Sequence, residues 1–280
     1  SFLELDNSLE KEKSANSAIK GLVYRRNNMI YVNEPAIIDY LDSLSFPAYH
    51  LLPMDKYNSI IGLHPVSTMI TSRGCPYKCH FCFKQPSDLK IRFRSPKNIV
   101  AEMELLVKKY KIREIMFYDD VMTSRRSHIA GICEEIMSRK LKVAWEAPSR
   151  VDVIDNDLLK LMKRAGCIRL RYGVESADEN TLRLMNKGIN LTQVKEAFRL
   201  TKKNGIEAFA YFIIGYIHET KFSVEKTIRF AIELNPDLVM FTVATPYPGT
   251  PLYYLARKEG IIDGDYWREF SLGESKKERI

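Results

Sequence analysis

The chain has 280 residues, of which 45% are hydrophobic and 28% are charged. This composition is typical of a globular protein with enough apolar side chains for a core, and it excludes general disorder. The formal net charge of +8 invites a nucleic-acid partner. Because lysine and arginine stand beside acidic residues along the chain, an ordinary solvated basic surface explains this charge better. Nucleic acid is therefore not an expected partner.

Neither a signal-peptide pattern nor a run of about 18 apolar residues occurs in the sequence. We therefore expect no membrane span and a cytoplasmic location. Five cysteines are too few and too irregularly spaced for a disulfide framework in a chain of this length. Three of them crowd into one short stretch, which indicates metal binding rather than disulfides.

Residues 1–65 are predicted to form a linker and a lead-in segment. Residues 1–20 are polar and rich in Ser, Lys and Glu, which is typical of a linker or a frayed arm, and we expect this start to lie within a longer protein. In residues 21–65, short apolar pieces are broken by Asn, Pro and Ser. This pattern predicts an irregular segment with a small hairpin and one or two helical turns.

A regular alternation of β-branched runs and helix-period stretches begins at Ser67. The predicted strands are 67–71, 114–118, 142–146, 167–173, 208–214 and 238–243. The predicted helices are 97–110, 125–139, 156–165, 178–186, 191–204 and 221–234. Six such units predict an α/β fold with a parallel sheet, namely a partial (β/α)6 TIM-type barrel over residues 66–260. A closed eight-stranded barrel needs more units. Residues 261–280 are predicted to be a C-terminal tail.

Three cysteines follow the first predicted strand: Cys75, Cys79 and Cys82. Thiolates at positions i, i+4 and i+7 of a tight loop can hold three corners of an iron–sulfur cube and leave one iron open. The rival interpretation is a structural zinc site, which takes four ligands, usually as two pairs. No second pair is present, because Cys133 and Cys167 lie alone in a predicted helix and a predicted strand. These two are predicted to be buried as small apolar residues.

The Cys-x-x-x-Cys-x-x-Cys string, with the aromatic Phe81 before its last cysteine, resembles the motif of the radical S-adenosylmethionine superfamily. The resemblance implies a [4Fe–4S] cluster whose open iron binds S-adenosyl-L-methionine. It also implies reductive cleavage of that cosubstrate to a 5′-deoxyadenosyl radical, which abstracts a hydrogen atom from the substrate. Further segments look like the cobalamin-binding class of this superfamily: 117–120, 145–152, 173–176, 212–215 and 246–251.

Two departures from that class stand out. Its cobalamin-ligand pattern, Asp-x-x-His-x-x-Gly, is absent, so we expect cobalamin only through a domain that is not in this chain. The usual Leu-Pro-Gly-Glu-Thr segment is replaced by residues 216–220, which changes the expected loop beside the adenine site.

The resemblance also implies residues that bind the cosubstrate. Tyr118, Asp119 and Asp120 correspond to the turn that receives its amino group, although Asp120 is equally suited to cap the next helix. Arg150 is expected to pair with the carboxylate of the cosubstrate through its planar fork, with a surface salt bridge as the alternative.

Three further residues, together with Phe81 of the cysteine motif, complete the predicted cosubstrate site. Glu175 and Ser176 end the fourth strand and are expected to hydrogen-bond the ribose or the methionine moiety. Gly215, at the end of the fifth strand, is expected to let the backbone approach the adenine.

The favoured function is therefore a radical S-adenosylmethionine enzyme of a cobalamin-dependent methyltransferase or cyclase lineage. It would act on a small-molecule or peptide substrate and receive electrons from a reductant such as flavodoxin or ferredoxin. One alternative is a core similar to tRNA methylthiotransferases. Another is a zinc or iron–sulfur module that binds nucleic acid without catalysis.

Overall fold

A computed structural model describes residues 2–10, 18–85 and 90–273. The chain divides into two compact units, Ser1–Leu41 and Asp42–Ile280. The first unit contains helix α1 (Phe2–Glu10) and an antiparallel hairpin of strands β1 (Val23–Arg26) and β2 (Met29–Val32). The hairpin lies where the sequence predicts one, whereas residues 2–10, expected to be a linker or a frayed arm, form a helix. The rest of the predicted linker, 11–17, lies outside the described residues.

Six parallel strands form the sheet of the second unit, in the spatial order β10-β9-β8-β7-β6-β3. A small antiparallel pair, β4 and β5, follows β3 along the chain. The strands are β3 (Val66–Met69), β4 (Ser72–Arg73), β5 (Arg92–Phe93), β6 (Glu114–Phe117), β7 (Ala144–Ser149), β8 (Cys167–Glu175), β9 (Glu207–Ile214) and β10 (Leu238–Val243). The curled sheet of six parallel strands confirms the predicted partial barrel.

Helices follow the strands of this sheet as the alternation predicts. Their bounds are α2 (Pro96–Tyr110), α3 (Arg126–Ser138), α4 (Asn156–Arg164), α5 (Glu179–Leu184), α6 (Leu191–Lys203), α7 (Lys221–Leu234), α8 (Pro251–Lys258) and α9 (Tyr266–Ser271). Side-chain caps set several of their starts: Ser95 accepts from the Asn98 amide, and Asn190 forms a capping box with Gln193. No helix in the described ranges is long and apolar enough to cross a membrane.

The third barrel strand, β7, and the C-terminal region differ from the predicted elements. β7 runs to Ser149 through Pro148, whereas the predicted strand ends at residue 146. A proline is tolerated here because β7 pairs with β6 only as far as Glu146, so the ladder on that side has already ended. Helices α8 and α9 lie beyond the six predicted βα units. α9 falls in the expected tail, of which residues 274–280 are outside the described part.

The helices pack against one face of the sheet and form the main core there. Trp145 and Phe117 are fully buried in this core, with ring centroids 5.9 Å apart. Cys133 and Cys167 belong to the same core, with exposures of 0% and 1%, as predicted for small apolar residues. Burial raises the pKa of the Cys133 thiol to about 12, which keeps it protonated and unreactive.

Charged side chains occupy the concave face of the sheet near its N-terminal edge. Arg169 on β8 contacts Glu114 at 2.9 Å and Glu146 at 2.7 Å through Nη1, and Glu207 at 2.7 Å through Nε. Its Nη2 donates to the Ile61 carbonyl at 3.0 Å. Glu114 and Glu146 are completely buried, so this guanidinium compensates charges that water does not reach.

Replacing Arg169 with Met should therefore destabilise the fold. The change leaves the Glu114 and Glu146 carboxylates buried without their cation, which costs about 3 to 5 kcal/mol. Urea unfolding measures the effect. Arg229→Met serves as the control, because Arg229 is largely exposed and should change stability by less than about 0.5 kcal/mol. Equal stabilities of the two variants would contradict this role of Arg169.

Candidate active site

A cavity of about 320 Å³ opens at the C-terminal ends of the parallel strands, and we call it the cysteine cavity. Its lining includes all three clustered cysteines together with Phe81, Asp120, Arg150 and Glu175, each predicted from the sequence as a site residue. The remaining lining residues are Tyr77, Lys84, Val121, Pro148, Ser149, Arg171, Gly173, Lys187 and Tyr211. The C-terminal edge of a parallel sheet is where βα folds place their ligands, so this cavity is the candidate active site.

The loop that carries Cys75, Cys79 and Cys82, which we call the cysteine loop, is held by hydrogen bonds to the segment that follows α5. The His80 amide donates to the Met185 carbonyl at 2.9 Å, and the Asn186 side-chain amide donates to the Lys78 carbonyl at 2.8 Å. On the other side, the Leu252 amide in α8 donates to the His80 carbonyl at 3.0 Å. Three points of attachment within three residues therefore set the position of the loop.

The thiols lie in a basic environment. The pKa of Cys79 is lowered to about 6, mainly by a hydrogen bond with Cys82 and also by the charges of Lys187 and Arg150, which together outweigh the opposite effect of burial. The same bond, together with burial, raises the pKa of Cys82. Lys84 also donates to the Cys75 carbonyl at 3.2 Å. Thiolate, the ligand form of cysteine, is thus favoured at Cys79.

Arg150 is buried at the wall of the cavity. Its Nε and Nη2 donate to the two carboxylate oxygens of Asp152, both at 2.9 Å, and Nη2 also donates to the Lys187 carbonyl. The guanidinium carbon lies 3.7 Å from the centroid of the Tyr77 ring. Arg150 therefore lines the cavity while its guanidinium binds Asp152, and its predicted pairing with the cosubstrate carboxylate stays a prediction.

Glu175 reaches the cavity through an irregularity of β8. The register with β9 shifts between Gly173 and Glu175, and Glu175 has a φ of 68°, which is uncommon for a residue with a side chain. Its Oε1 accepts from Lys187 Nζ at 2.6 Å, and both side chains are only 8% exposed. A Cβ at Gly173 would lie 2.4 Å from that oxygen, so only glycine leaves room for the pair.

Lys187 was not among the residues predicted from the sequence. It follows α5 in a turn, twelve positions after Glu175, and no ligand motif or strand end marks it. Only the fold brings its side chain to the cavity.

Asp119 faces away from the cavity although its neighbour Asp120 lines it. The Asp119 carboxylate accepts from the Thr71 amide at 3.1 Å, the Thr71 hydroxyl at 2.7 Å and the Ser72 hydroxyl at 2.5 Å. Burial raises its pKa, and these hydrogen bonds oppose that shift. The side chain thus anchors the residues that lead into the cysteine loop. The Tyr118 side chain lies against Arg171 and is 54% exposed.

Two other predicted residues also lie outside the cavity lining. Ser176 is fully buried, where its hydroxyl contacts Thr227 at 3.2 Å and accepts from the Asp178 amide at 3.1 Å. This side chain therefore organises the start of α5. Gly215 has a φ of 75°, and an added Cβ would meet Val243 at 3.6 Å, so its backbone conformation favours glycine. The predicted contacts of both residues with the cosubstrate stay predictions.

The donor set at the cavity suits an iron–sulfur cluster. Cysteine thiolates are the ligands of such clusters, and three of them meet here beside cationic side chains that offset cluster charge. Among the described residues, no three His, Cys, Asp or Glu side chains surround a single point as ligands of one metal ion.

His128 lies behind the cysteine loop, where its Nε2 is 3.4 Å from the Thr71 hydroxyl. Burial, with a smaller effect of Arg125, lowers its pKa from 6.5 to about 4. The unfolded chain therefore binds a proton that the folded chain does not bind between these pH values. The free energy of unfolding is therefore highest above pH 6.5, and it decreases as the pH falls towards 4.

The expected loss between pH 7.5 and pH 5 is about 2 kcal/mol, measured by urea unfolding at the two pH values. His128→Gln keeps a hydrogen-bond donor near Thr71 and should remove this part of the pH dependence. His50→Gln, at an exposed position, is the matched control and should keep it. An unchanged pH dependence in His128→Gln would contradict the assignment.

Comparison with known proteins gives a family. A model described as the radical SAM superfamily matches residues 69–231. An uncharacterized methyltransferase of Pyrococcus horikoshii is 37% identical over 96% of this chain and 59% of its own length. An anaerobic magnesium-protoporphyrin IX monomethyl ester cyclase of Rubrivivax gelatinosus is 34% identical over 88% of this chain and 45% of its own length. The chain thus spans about half the length of these relatives.

Solved structures share the fold. The radical S-adenosylmethionine methyltransferase TsrM of Kitasatospora setae superposes with a TM-score of 0.73 and 17% identity, over 91% of this chain and 52% of its own. The cobalamin-dependent S-adenosylmethionine radical enzyme OxsB superposes with a TM-score of 0.80 and 18% identity, over 92% of this chain and 44% of its own. With a family match that covers more than half of its residues, and with three cysteines gathered at the mouth of a partial barrel, the chain belongs to the radical SAM superfamily of enzymes.

Proposed function

We propose that Cys75, Cys79 and Cys82 hold a [4Fe–4S] cluster and that S-adenosyl-L-methionine binds and is cleaved reductively in the cysteine cavity. The superfamily implies both cofactors. The single observation that carries the proposal is that the three cysteines line one cavity with Asp120, Arg150, Glu175 and Lys187. A charged, zwitterionic cosubstrate requires such paired charges of both signs close to the metal ligands.

A cluster held by Cys75, Cys79 and Cys82 would supply the electron for reductive cleavage of the cosubstrate. The side chains of the protein bind and orient the cosubstrate. Glu175, held by Lys187, presents a carboxylate that can accept hydrogen bonds from ribose hydroxyls at the cavity wall. Arg150 and Lys187 place positive charge beside Cys79, which favours its thiolate form.

Further support concerns the lineage. The relatives include a methyltransferase and a cyclase, and the two superposed structures are those of a radical S-adenosylmethionine methyltransferase and a cobalamin-dependent radical enzyme. We therefore assign the chain to a cobalamin-dependent methyltransferase or cyclase lineage, in which cobalamin binds through a domain outside this chain. The expected substrate is a small molecule or a peptide, and the expected electron donor is a reductant such as flavodoxin or ferredoxin.

Replacing Cys79 with Ala should abolish both the broad absorbance of the cluster near 400 nm and the release of 5′-deoxyadenosine. Two remaining thiolates do not hold the cube. Anaerobic reconstitution, iron analysis and chromatography of the products after reduction with dithionite measure both. Cys133→Ala, in the helical core, is the control and should retain both signals. A colourless wild-type chain that contains one zinc would contradict the cluster.

Replacing Glu175 with Gln should weaken binding of S-adenosyl-L-methionine about tenfold or more. The reason is that a charge-assisted hydrogen bond contributes about 1.5 to 3 kcal/mol. Calorimetry on the reconstituted chain measures the affinity. Iron content should stay unchanged, because Glu175 is not a metal ligand. Glu225→Gln, on the outer surface of α7, should bind as the wild type does. Equal affinities of the two variants would give Glu175 a purely structural role.

A further inference from the structure

A second cavity, of about 380 Å³, lies beside the β3 edge of the barrel, and we call it the side cavity. One wall is formed by Thr68 of β3, Met116 of β6 and Tyr118, which directly follows β6. The segment that precedes β3 forms the other wall through Met54 and Tyr57. Its volume is similar to that of the cysteine cavity and lies in the range of small-molecule sites.

The two cavities differ in their charge. Four cations, Lys84, Arg150, Arg171 and Lys187, and two carboxylates, Asp120 and Glu175, line the cysteine cavity. None of the described residues that line the side cavity carries a charge. The Tyr49 hydroxyl at its floor already donates to Glu102 at 2.5 Å, so that polar atom needs no ligand. A charged cosubstrate therefore favours the first cavity, and an uncharged apolar group favours the second.

The side cavity is open and apolar where a ligand would enter. Leu52, Tyr57 and Tyr118 line it and are 46%, 45% and 54% exposed. Large apolar side chains that stay exposed around a concavity are typical of binding sites. The uncharged polar groups beside them are the side chains of Asn58, Ser59, Ser67 and Thr68 and the hydroxyl groups of Tyr57 and Tyr118. Such a lining selects an apolar body with one or two hydrogen-bonding groups.

The two cavities adjoin at a contact between Tyr118 and Arg171. Tyr118 lines the side cavity and Arg171 lines the cysteine cavity, and the Arg171 guanidinium carbon lies 4.9 Å from the Tyr118 ring centroid. Arg171 is also held by the Phe117 carbonyl, which leaves the half-exposed tyrosine as the more movable partner. Tyr118 thus lies at the boundary between the side cavity and the cysteine cavity.

We infer that the side cavity binds the apolar body of a small-molecule substrate, which extends past Tyr118 so that its reacting carbon enters the cysteine cavity. The inference rests on the proposed function for the identity of the neighbouring site. It adds a substrate class, an uncharged apolar skeleton with few polar groups. It also adds a specificity residue, Tyr118, at the shared wall.

The test uses 4-hydroxybenzophenone, an uncharged aromatic probe with one hydroxyl group. Calorimetry on the reconstituted full chain, with S-adenosyl-L-methionine present, should show one saturable site. Thr68→Phe fills the cavity from a strand position that tolerates an aromatic ring, and Tyr57→Ala removes part of one wall. Both should weaken binding about tenfold or more, since most of the probe's apolar contact is lost. Thr192→Phe, on the exposed side of α6, should bind as the wild type does.

Irradiation then locates the probe. Its excited carbonyl takes a hydrogen atom from a nearby C–H bond, the carbonyl becomes a carbinol, and a carbon–carbon bond joins probe and protein. Peptide mapping should find the label within residues 49–68 or 116–118. No saturable binding, label elsewhere, undiminished binding by both cavity variants, or probe binding only at a contact between two copies of the chain would overturn the inference.

Release of 5′-deoxyadenosine without probe separates this inference from the proposed function. Thr68→Phe and Tyr57→Ala should release it at the wild-type rate, because neither residue lines the cysteine cavity. A chain that binds the probe as described but cleaves no cosubstrate would contradict the proposed function alone. A chain that cleaves the cosubstrate but does not bind the probe would contradict the side cavity alone.

Discussion

Charges inside a barrel have to be paired, and this requirement organises the concave face of β8. Arg169, Arg171, Gly173 and Glu175 follow one another along that face from the N-terminal edge to the mouth. Arg169 neutralises the buried carboxylates near the N-terminal edge of the sheet, and Lys187 neutralises Glu175 at the mouth of the barrel. Because an unpaired buried charge costs several kcal/mol, each of these partners is needed for the strand to lie where it does.

The pairing at the mouth depends on two features of the backbone. Gly173 leaves space that any side chain would fill, and Glu175 adopts a left-handed conformation after a shift of register. Strain of this kind persists where the surrounding structure imposes it, and it is common at functional sites. Here the surrounding structure includes the turn after α5, which also holds the cysteine loop through Met185 and Asn186. The cysteine loop and the Glu175 carboxylate are therefore positioned by the same short segment.

The two cavities differ in the charge of the side chains that line them. The cysteine cavity combines thiols with paired ions and suits a charged cosubstrate, whereas the side cavity presents aromatic and aliphatic groups. Tyr118 and Arg171 form the boundary between them. The proposed radical chemistry and the inferred apolar substrate together require an apolar molecule beside a polar reagent, and two adjoining cavities of different charge fit that requirement.

The sequence alone determined the partial barrel, its strand and helix alternation, the three clustered cysteines and the burial of Cys133 and Cys167, because hydrophobic period and ligand spacing are local signals. It also indicated Asp120, Arg150 and Glu175, since strand ends meet at one edge of a parallel sheet. Only the tertiary structure decided that Asp119 and Ser176 serve as anchors and that Lys187 enters the cavity. Their directions depend on a β-bulge, a turn and partners between 2 and 51 positions away, and no local pattern encodes such contacts.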